Sequence, residues 1–163
     1  RRLARLCGLA SIDVDSYIER LAGKPIPQIF DEDGEEGFRR IETQALVDIA
    51  AMDPPMLVSC GGGVVTRPAN VDIMGRTGVV VHLRVSAEQA AARISDLSTR
   101  PLFQDLAAAR ARLEERLPAY EAAADVTIDT GGRNPGAIAH DVRRALQKRG
   151  VLVRAGSPAE RGR

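Results

Sequence analysis

The sequence predicts an α/β fold in which a parallel β-sheet lies between two layers of helices. Short apolar segments alternate along the chain with longer amphipathic ones, which is typical of βαβ units. The chain has 163 residues, a length that suits a single domain. Hydrophobic residues make up 44% and charged residues 28% of the sequence, as in ordinary globular proteins. No apolar run approaches the roughly 18 residues that a membrane span needs.

Four short apolar segments are predicted to be strands, and the amphipathic segments between them to be helices. The predicted strands are residues 10–14, 56–60, 78–85 and 124–130. The predicted helices are residues 1–9, 15–23, 26–30, 34–52, 68–74, 86–97, 106–117 and 134–150, and residues 98–105 are predicted to be a loop. This order predicts one domain over residues 1–150, followed by a flexible tail at residues 151–163.

Glycine and proline set the ends of the helices in the first half of the chain. Gly8 follows the opening helix, and Gly23 is the expected end of the second helix. Pro54 and Pro55 end the longest helix, because proline cannot continue a helix. Pro68 suits the first turn of the next helix.

Capping residues mark two helices in the second half. Ser86 and Gln89 have the spacing of a capping box, in which each side chain binds the backbone of the other. Asn134 is a favourable N-cap for the last helix, with Pro135 at its first position and Gly150 at its end.

The charges of the chain nearly cancel. The sequence has 23 Lys and Arg residues and 22 Asp and Glu residues, for a net charge of +1. This balance provides no broad positive surface, so we expect neither a nucleic acid nor a membrane as partner. Cys7 and Cys60 show no metal-binding spacing and no disulfide framework, which favours a reduced, cytoplasmic compartment. We expect a monomer whose functional basic residues act singly, in a pocket.

Two carboxylates follow the first predicted strand, where ligands bind in folds of this class. In the segment Asp13-Val14-Asp15 the two acids are two residues apart, so they would point the same way from a strand end. Such a pair can hold a metal-bound water or accept protons from substrate hydroxyls. The alternative is that Asp15 only caps the helix that follows.

Three consecutive glycines, the triple glycine Gly61, Gly62 and Gly63, follow the second predicted strand. Glycine lets a ligand approach the backbone closely, so this run predicts a binding surface lined by main chain. A flexible turn is the alternative. The run does not end in the Gly-Lys-Ser/Thr that a phosphate-binding loop requires.

The longest helix places one acid among its apolar residues. With 3.6 residues per turn, Glu42 falls near the middle of the apolar face, Arg39 at its rim and Arg40 away from it. A carboxylate on an apolar face must be paired, and Arg39, three residues back, can reach it. An arginine held in this way suits a ligand carboxylate, to which it can donate two hydrogen bonds. The alternative is an ordinary solvated ion pair.

Two further arginines are candidates for function, whereas the two histidines are not. Arg100, next to Pro101 in the predicted loop, suits a mobile lid that closes on phosphate. Arg116 lies near the end of its predicted helix, where the helix dipole alone would favour a cation. His82 and His140 have no acid or cysteine at ligand spacing, so we assign them to the structure.

Six segments, in order and with family-like spacing, resemble the shikimate kinase family. They are IDVDSYIE, IPQIFDEDGEEGFRRIE, SCGGGVV, TRPL, RLPAY and RNPGA. The resemblance runs from Arg1 to about Lys148. It implies a P-loop kinase architecture similar to that of nucleoside-monophosphate kinases. It also implies an enzyme of aromatic amino acid (chorismate) biosynthesis that transfers the γ-phosphate of ATP to a hydroxyl of shikimate, with Mg²⁺ as the metal.

The resemblance assigns the substrate side of the site. Asp13 would lie near Mg²⁺, through a water molecule, and near the attacking hydroxyl. Asp15 would hydrogen-bond the shikimate hydroxyls, while Arg39 and Arg116 would hold the shikimate carboxylate. The triple glycine would line the pocket, with Gly62 as the expected direct contact.

The resemblance also assigns the ATP side. Arg100 would contact ATP as a lid arginine that neutralises the transferring phosphate, and Arg93, Arg133 and Pro135 would border the adenine. The family's strand and loop ending in Gly-Lys-Ser/Thr have no counterpart in this sequence. Because that loop supplies the phosphate-binding amides, a lysine and a Mg²⁺ ligand, we expect the chain as given to be nearly inert.

We interpret the chain as an enzyme lacking its N-terminal strand and phosphate loop, and we expect an in-frame motif of this kind in the DNA upstream of Arg1. One alternative is another small-molecule kinase, such as a gluconate kinase, although Arg39 and Arg116 with the triple glycine favour shikimate. A second alternative is a noncatalytic binding or regulatory module. A sheet without an inner strand would also expose unpaired edges.

Overall fold

A computed structural model describes residues 1–92 and 106–152 of the chain. Its strands are β1 (Ala10–Asp13), β2 (Met56–Ser59), β3 (Val81–Arg84) and β4 (Val126–Asp129). Its helices are α1 (Arg2–Cys7), α2 (Val14–Ala22), α3 (Ile26–Ala50), α4 (Pro68–Thr77), α5 (Ala87–Ala91), α6 (Leu106–Ala123) and α7 (Pro135–Lys148), with a short 3₁₀ helix at Val64–Thr66. The predicted α/β class is confirmed. None of these helices is both long and apolar enough to cross a bilayer.

Within residues 1–92 and 106–152 the strands pair in parallel, as predicted, but they do not form one sheet. β1 pairs with β2, and β3 pairs with β4. In the described part of the chain the four strands therefore form two separate two-stranded sheets. Parallel strands are usually covered on both faces, yet Val58 on β2 is 36% exposed and Leu83 on β3 is 50% exposed.

We expect the 163-residue chain to self-associate through the outer edges of its two small sheets. An unpaired strand edge is a template for pairing with another chain. Light scattering after size-exclusion chromatography should show oligomers or aggregates. Leu83→Lys should reduce them, since a charge on a strand edge opposes pairing. Leu21→Lys on α2 is the control, because Leu21 is similarly exposed, at 47%, but lies outside the strands. A monodisperse, cooperatively melting wild-type chain would contradict the expectation.

The prediction of two helices that meet at Gly34 agrees with the structure. α3 (Ile26–Ala50) consists of two helical halves joined by a kink at Gly34, and the first half is longer than the predicted 26–30. Gly34 has φ 67° and ψ −176°, a combination open essentially only to glycine. The rings of Phe30 and Phe38 stack across the kink with centroids 4.7 Å apart. The stack links the two halves of α3 across the kink.

Other element ends differ modestly from the predictions. All four strands are shorter than predicted, and α4 continues to Thr77 instead of ending at Met74. α6 continues through Pro118 to Ala123, beyond its predicted end at Leu117. The reason is packing, because residues beyond this proline, Tyr120 among them, contact the core. The predicted caps of α5 and α7 are confirmed. Most of the predicted tail lies outside the described residues.

The main core lies between α2, α3 and the 3₁₀ helix. Its buried side chains are Val14, Ile18, Ile29, Phe38, Ala45, Leu46, Ile49, Val64 and Val65. Val14 follows β1 directly, and Val64 follows the triple glycine directly. Burial of these two valines therefore anchors the junction of β1 and α2, next to Asp13 and Asp15, and the glycine loop after β2.

Candidate functional site

Several of the predicted site residues lie at or just after the ends of strands. Asp13 is the last residue of β1, the triple glycine comes shortly after β2, and Arg133 and Pro135 come shortly after β4. These positions share the carboxyl side of parallel strands, where ligands of α/β folds bind. Arg93 and Arg100 lie outside the described residues.

We predicted that Asp13 and Asp15 lie side by side at a strand end. The structure shows that they do not. β1 ends at Asp13, whose Oδ1 accepts a hydrogen bond from the Ser16 N–H at 3.1 Å. Asp13 rather than Asp15 is therefore the N-cap of α2, and the alternation that applies to strands does not extend to Asp15. Asp15 lies in the first turn of α2 and is half-buried. A Cβ added at Gly61 would be 3.4 Å from Asp15 Oδ1, so this carboxylate faces the triple glycine.

The ion pair between Arg39 and Glu42 is confirmed and is not a solvated surface pair. Glu42 is 1% exposed, in the middle of the apolar face of α3. Its Oε2 accepts a hydrogen bond from Arg39 Nη1 at 2.9 Å. Arg39 Nη2 donates to Glu35 at 3.3 Å, and Arg39 Nε is buried without a partner among the described residues. The guanidinium therefore has donor capacity beyond its protein partners.

The electrostatics of this pair hold the arginine in place. Burial raises the pKa of Glu42, while the hydrogen bond from Arg39 and its charge act in the opposite direction. Asp15 adds to the rise, since a second negative charge nearby disfavours ionisation. Moving Arg39 away would leave a carboxylate buried without its cation, which is costly. Arg39 is therefore fixed by its partner.

Each residue of the triple glycine faces a different side chain. The approach is closest at Gly63, where an added Cβ would lie 2.6 Å from Arg39 Nη1 and 2.7 Å from Arg39 Cζ. Gly63 has φ −84° and ψ −8°, which any residue can adopt, so the constraint is steric and not conformational. At Gly62 an added Cβ would lie 3.0 Å from the hydroxyl of Tyr120. The run is thus enclosed by Asp15, Tyr120 and Arg39, which favours a ligand surface over a flexible turn.

Tyr120 is a site residue to which sequence reasoning gave no role. Its hydroxyl donates a hydrogen bond to the carbonyl of Gly62 at 2.5 Å. Arg116 is half-buried and lies one turn earlier on α6, so it shares a helix face with Tyr120. Since α6 continues to Ala123, Arg116 is not in the last turn of the helix, and the dipole explanation for its charge loses its basis. The segment RLPAY could have indicated this role for Tyr120, because it places Arg116 and Tyr120 four residues apart, on one face of a helix.

Burial and three carboxylates raise the pKa of Cys60, the residue that follows β2. The pKa of the Cys60 thiol is raised to about 11, first by desolvation and then by the charges of Glu42, Asp15 and Asp13, although the residue retains exposed surface. The thiol therefore stays protonated at neutral pH. The surroundings of the triple glycine thus combine negative charge from these acids with the fixed positive charge of Arg39.

His82 contacts the site only indirectly. Its ring stacks on that of Tyr120, with centroids 5.0 Å apart and an angle of 18° between the rings. His82 Nδ1 is buried without a hydrogen-bond partner in the part of the chain that the structure describes. Burial and then the charge of Arg84 lower the pKa of His82, against an opposing effect of Glu121. These contacts agree with a structural role for the neutral ring.

We expect the protein to lose stability in mild acid because of His82. Its folded-state pKa lies below its ordinary value of 6.5, so the stability that it contributes is present above pH 6.5 and is lost as the pH falls through the folded-state pKa. His82→Phe keeps a ring on Tyr120 but cannot take up a proton. Denaturant unfolding of both proteins between about pH 5 and 8 should show that the variant lacks this part of the pH dependence. Parallel curves would contradict it.

The residues predicted to border adenine are held by contacts of their own. Arg133 forms an ion pair with Asp141 and donates from Nη1 to the carbonyl of Asp129 at 3.3 Å. Pro135 is the first residue of α7, behind the N-cap Asn134, whose side chain accepts from the Ala137 N–H at 2.9 Å. Both residues are exposed, so a ligand at this strand end can reach them.

A multidentate metal site is not found among the described residues, which contain no group of three or more His, Cys, Asp or Glu side chains that could hold an ion. Asp13 contributes a single carboxylate. Magnesium often uses only one or two protein carboxylates and completes its shell with waters and substrate phosphates. The single acid therefore fits Mg²⁺ better than it fits a metal that needs a full set of protein ligands.

Comparisons with known proteins agree with this geometry. The shikimate kinase family model matches residues 1–147. The chain is 40% identical over 150 residues to shikimate kinase of Halorhodospira halophila, covering 90% of this chain and 84% of that protein. It is 42% identical over 142 residues to shikimate kinase of Mycobacterium avium, covering 85% and 79%. Among solved structures, shikimate kinase from Acinetobacter baumannii in complex with shikimate superposes with a TM-score of 0.85 at 32% identity, covering 91% of this chain and 84% of that one. The Aquifex aeolicus enzyme gives 0.77 at 27% identity, with coverage of 91% and 88%.

Proposed function

The chain belongs to the shikimate kinase family, and we propose that it forms the shikimate-binding part of an enzyme that transfers the γ-phosphate of ATP to a hydroxyl of shikimate. The observation that carries this proposal is the guanidinium of Arg39, which buried Glu42 holds against Gly63. A fixed cation next to bare main chain suits a small ring that carries a carboxylate. Shikimate is such a ring, with hydroxyls on its other side.

Substrate binding follows from the charges around the triple glycine. Arg39 and Arg116 bind the shikimate carboxylate, since arginine can donate paired hydrogen bonds to it. The carboxylate of Asp15 accepts hydrogen bonds from the shikimate hydroxyls. The ring lies on the main chain of Gly61, Gly62 and Gly63, where side chains would take up the space.

ATP and Mg²⁺ are the cofactors that we propose. Asp13 sits at the end of β1 with Oδ1 bound to the Ser16 N–H. Oδ2 can then accept a hydrogen bond from a water of the ion. Arg133 and Pro135 border the adenine, and we assign Arg93 and Arg100 to ATP as well, although both lie outside the described residues. When bound, Mg²⁺ neutralises the charge of the phosphates.

The protein's own part in the reaction is positioning and charge stabilisation, which dominate phosphoryl transfer. Arg39 and Asp15 fix opposite sides of shikimate, so that one hydroxyl points toward ATP. Asp13 orients that hydroxyl and accepts its proton. Arg100 offsets the charge of the phosphate in transit.

Binding and turnover should be separable in the 163-residue chain. Its sequence contains no Gly-x-x-x-x-Gly-Lys-Ser/Thr, the motif that provides a phosphate loop. We therefore propose that the chain alone binds shikimate but phosphorylates it hardly at all. A chain extended by an in-frame segment with that motif should catalyse the reaction.

The test is calorimetric titration with shikimate and with gluconate, followed by an assay for shikimate-dependent ADP formation in the extended chain. We expect binding of shikimate, no binding of gluconate, and turnover with shikimate. Binding of gluconate instead would favour the other kinase. Shikimate binding without turnover in the extended chain would favour a noncatalytic module. Absence of shikimate binding would overturn the proposal.

We further propose that the enzyme, extended by the segment with the phosphate loop, is monomeric and cytoplasmic. Its cysteines, Cys7 and Cys60, are both free thiols, as expected in a reducing compartment. Small anionic metabolites and ATP are also available there.

A further inference from the structure

The amide of Asn70 lies at the centre of a buried polar network behind Arg39. Asn70 belongs to α4 and is 0% exposed. Its Nδ2 donates to Glu42 Oε2 at 3.4 Å and to the carbonyl of Val64 at 3.1 Å. Its Oδ1 accepts from the hydroxyl of Thr43 at 2.7 Å. Asn70 therefore joins three elements, α3, α4 and the turn that follows the triple glycine.

The chemistry of its partners allows the amide only one orientation. Glu42 Oε2 and the Val64 carbonyl can only accept hydrogen bonds, so both must face the NH₂ group. The Thr43 hydroxyl lies on the opposite side, where its one proton can go to the amide oxygen at 2.7 Å or to the Arg39 carbonyl at 3.0 Å. A flipped amide would place its oxygen against two acceptors and leave both unpaired, which is costly in a buried site.

The network reaches the ligand surface along two routes. Along the first, Asn70 and Arg39 donate to the same oxygen of Glu42, so the amide limits where that oxygen can move. Along the second, Asn70 holds the carbonyl of Val64, the residue directly after Gly63. Gly63 is in turn the position that the Arg39 guanidinium approaches most closely. Asn70 thus fixes both the guanidinium of Arg39 and the main chain at Gly63 and Val64 against which that guanidinium lies.

We propose that Asn70 is a positioning residue for shikimate binding, acting through Glu42 and Val64 to hold Arg39 in one orientation. The inference rests on the proposed function, because it assumes that Arg39 binds the shikimate carboxylate. Asn70 itself is fully buried and does not touch the substrate. A side chain in this role matters for affinity only when Arg39 is present, whereas a residue that only supports the fold matters equally without it.

The test is a double-mutant cycle on shikimate affinity, measured by calorimetry. Asn70→Leu has similar size but cannot hydrogen-bond, and it should weaken binding roughly 5- to 20-fold. In a protein that already carries Arg39→Ala, Asn70→Leu should weaken shikimate binding by less than about twofold. Ile73→Ala is the control, because Ile73 packs on the core from the same helix but outside this network. It should lower the melting temperature and leave shikimate affinity unchanged.

Thr43→Val keeps the cycle informative if Asn70→Leu does not fold. Valine matches threonine in shape but removes the hydroxyl that orients the amide. Its smaller loss of affinity should again depend on Arg39. Equal losses with and without Arg39, or no loss, would overturn this inference while the wild-type protein still binds shikimate. Failure of the wild-type protein to bind shikimate would instead overturn the proposed function and this inference with it.

Discussion

Replacing Arg39 by alanine should weaken shikimate binding by about 2–4 kcal/mol, or roughly 30- to 700-fold. The variant loses the cation that binds the shikimate carboxylate. It also leaves Glu42, which is 1% exposed, without its ion-pair partner. Titration calorimetry of the purified variant measures the loss directly. Unchanged affinity would contradict the assignment of Arg39 to the substrate carboxylate.

The neighbouring residue provides a matched control for this prediction. Arg40→Ala removes the same type of side chain from the next position of α3, where the residue is exposed. Its shikimate affinity should equal that of the wild-type protein. The shikimate affinity of Arg39→Lys should lie between those of Arg39→Ala and Arg40→Ala, because lysine keeps the charge but not the paired donors. Equal losses of shikimate affinity in Arg39→Ala and Arg40→Ala would show that the net charge of the protein, and not a specific contact of Arg39, determines binding.

Gly63→Ala should be the second most damaging change, although it adds only a methyl group. The new Cβ would lie 2.6 Å from Arg39 Nη1 and 2.7 Å from Arg39 Cζ, well inside contact distance. The guanidinium cannot move away freely because Glu42 binds it. We expect shikimate affinity to fall about 10- to 100-fold, as expected from steric costs of about 1–3 kcal/mol.

The backbone of Gly63 can accept alanine, so the variant should fold. Circular dichroism and a melting curve close to those of the wild-type protein would confirm this. Gly75→Ala on α4 is the control, because an added Cβ there meets nothing within 4 Å. That variant should bind shikimate normally. Normal shikimate affinity in Gly63→Ala as well would show that Arg39 does not need its position against the loop.

The apolar pattern of α3 correctly predicted where Glu42 and Arg39 lie on the helix. The spacing of its hydrophobic residues placed Glu42 inside and Arg39 at the rim, and the structure confirms both. This succeeded because a helix repeats every 3.6 residues, so one buried face fixes the direction of every side chain. Predictions from the ends of elements were weaker. Asp13 and Asp15 were treated as strand residues, but the strand ends at Asp13 and its alternation ends with it.

Long-range contacts could not be predicted from the sequence. Tyr120 reaches Gly62 across 58 positions of the chain, and Asn70 reaches Glu42 across 28. Asn70 did carry a local signal, since it lies three residues before Ile73 and four before Met74, both of which pack on the core. An amide on such a face must be hydrogen-bonded within the fold. Its partners, however, depend on how α3 and α4 pack together.

The most direct test is a crystal structure of the protein with shikimate bound. The account predicts the shikimate carboxylate on Arg39 and Arg116, its hydroxyls on Asp15, and its ring against the main chain of Gly62. Shikimate bound at a place that none of these four residues touches would contradict the account at its centre.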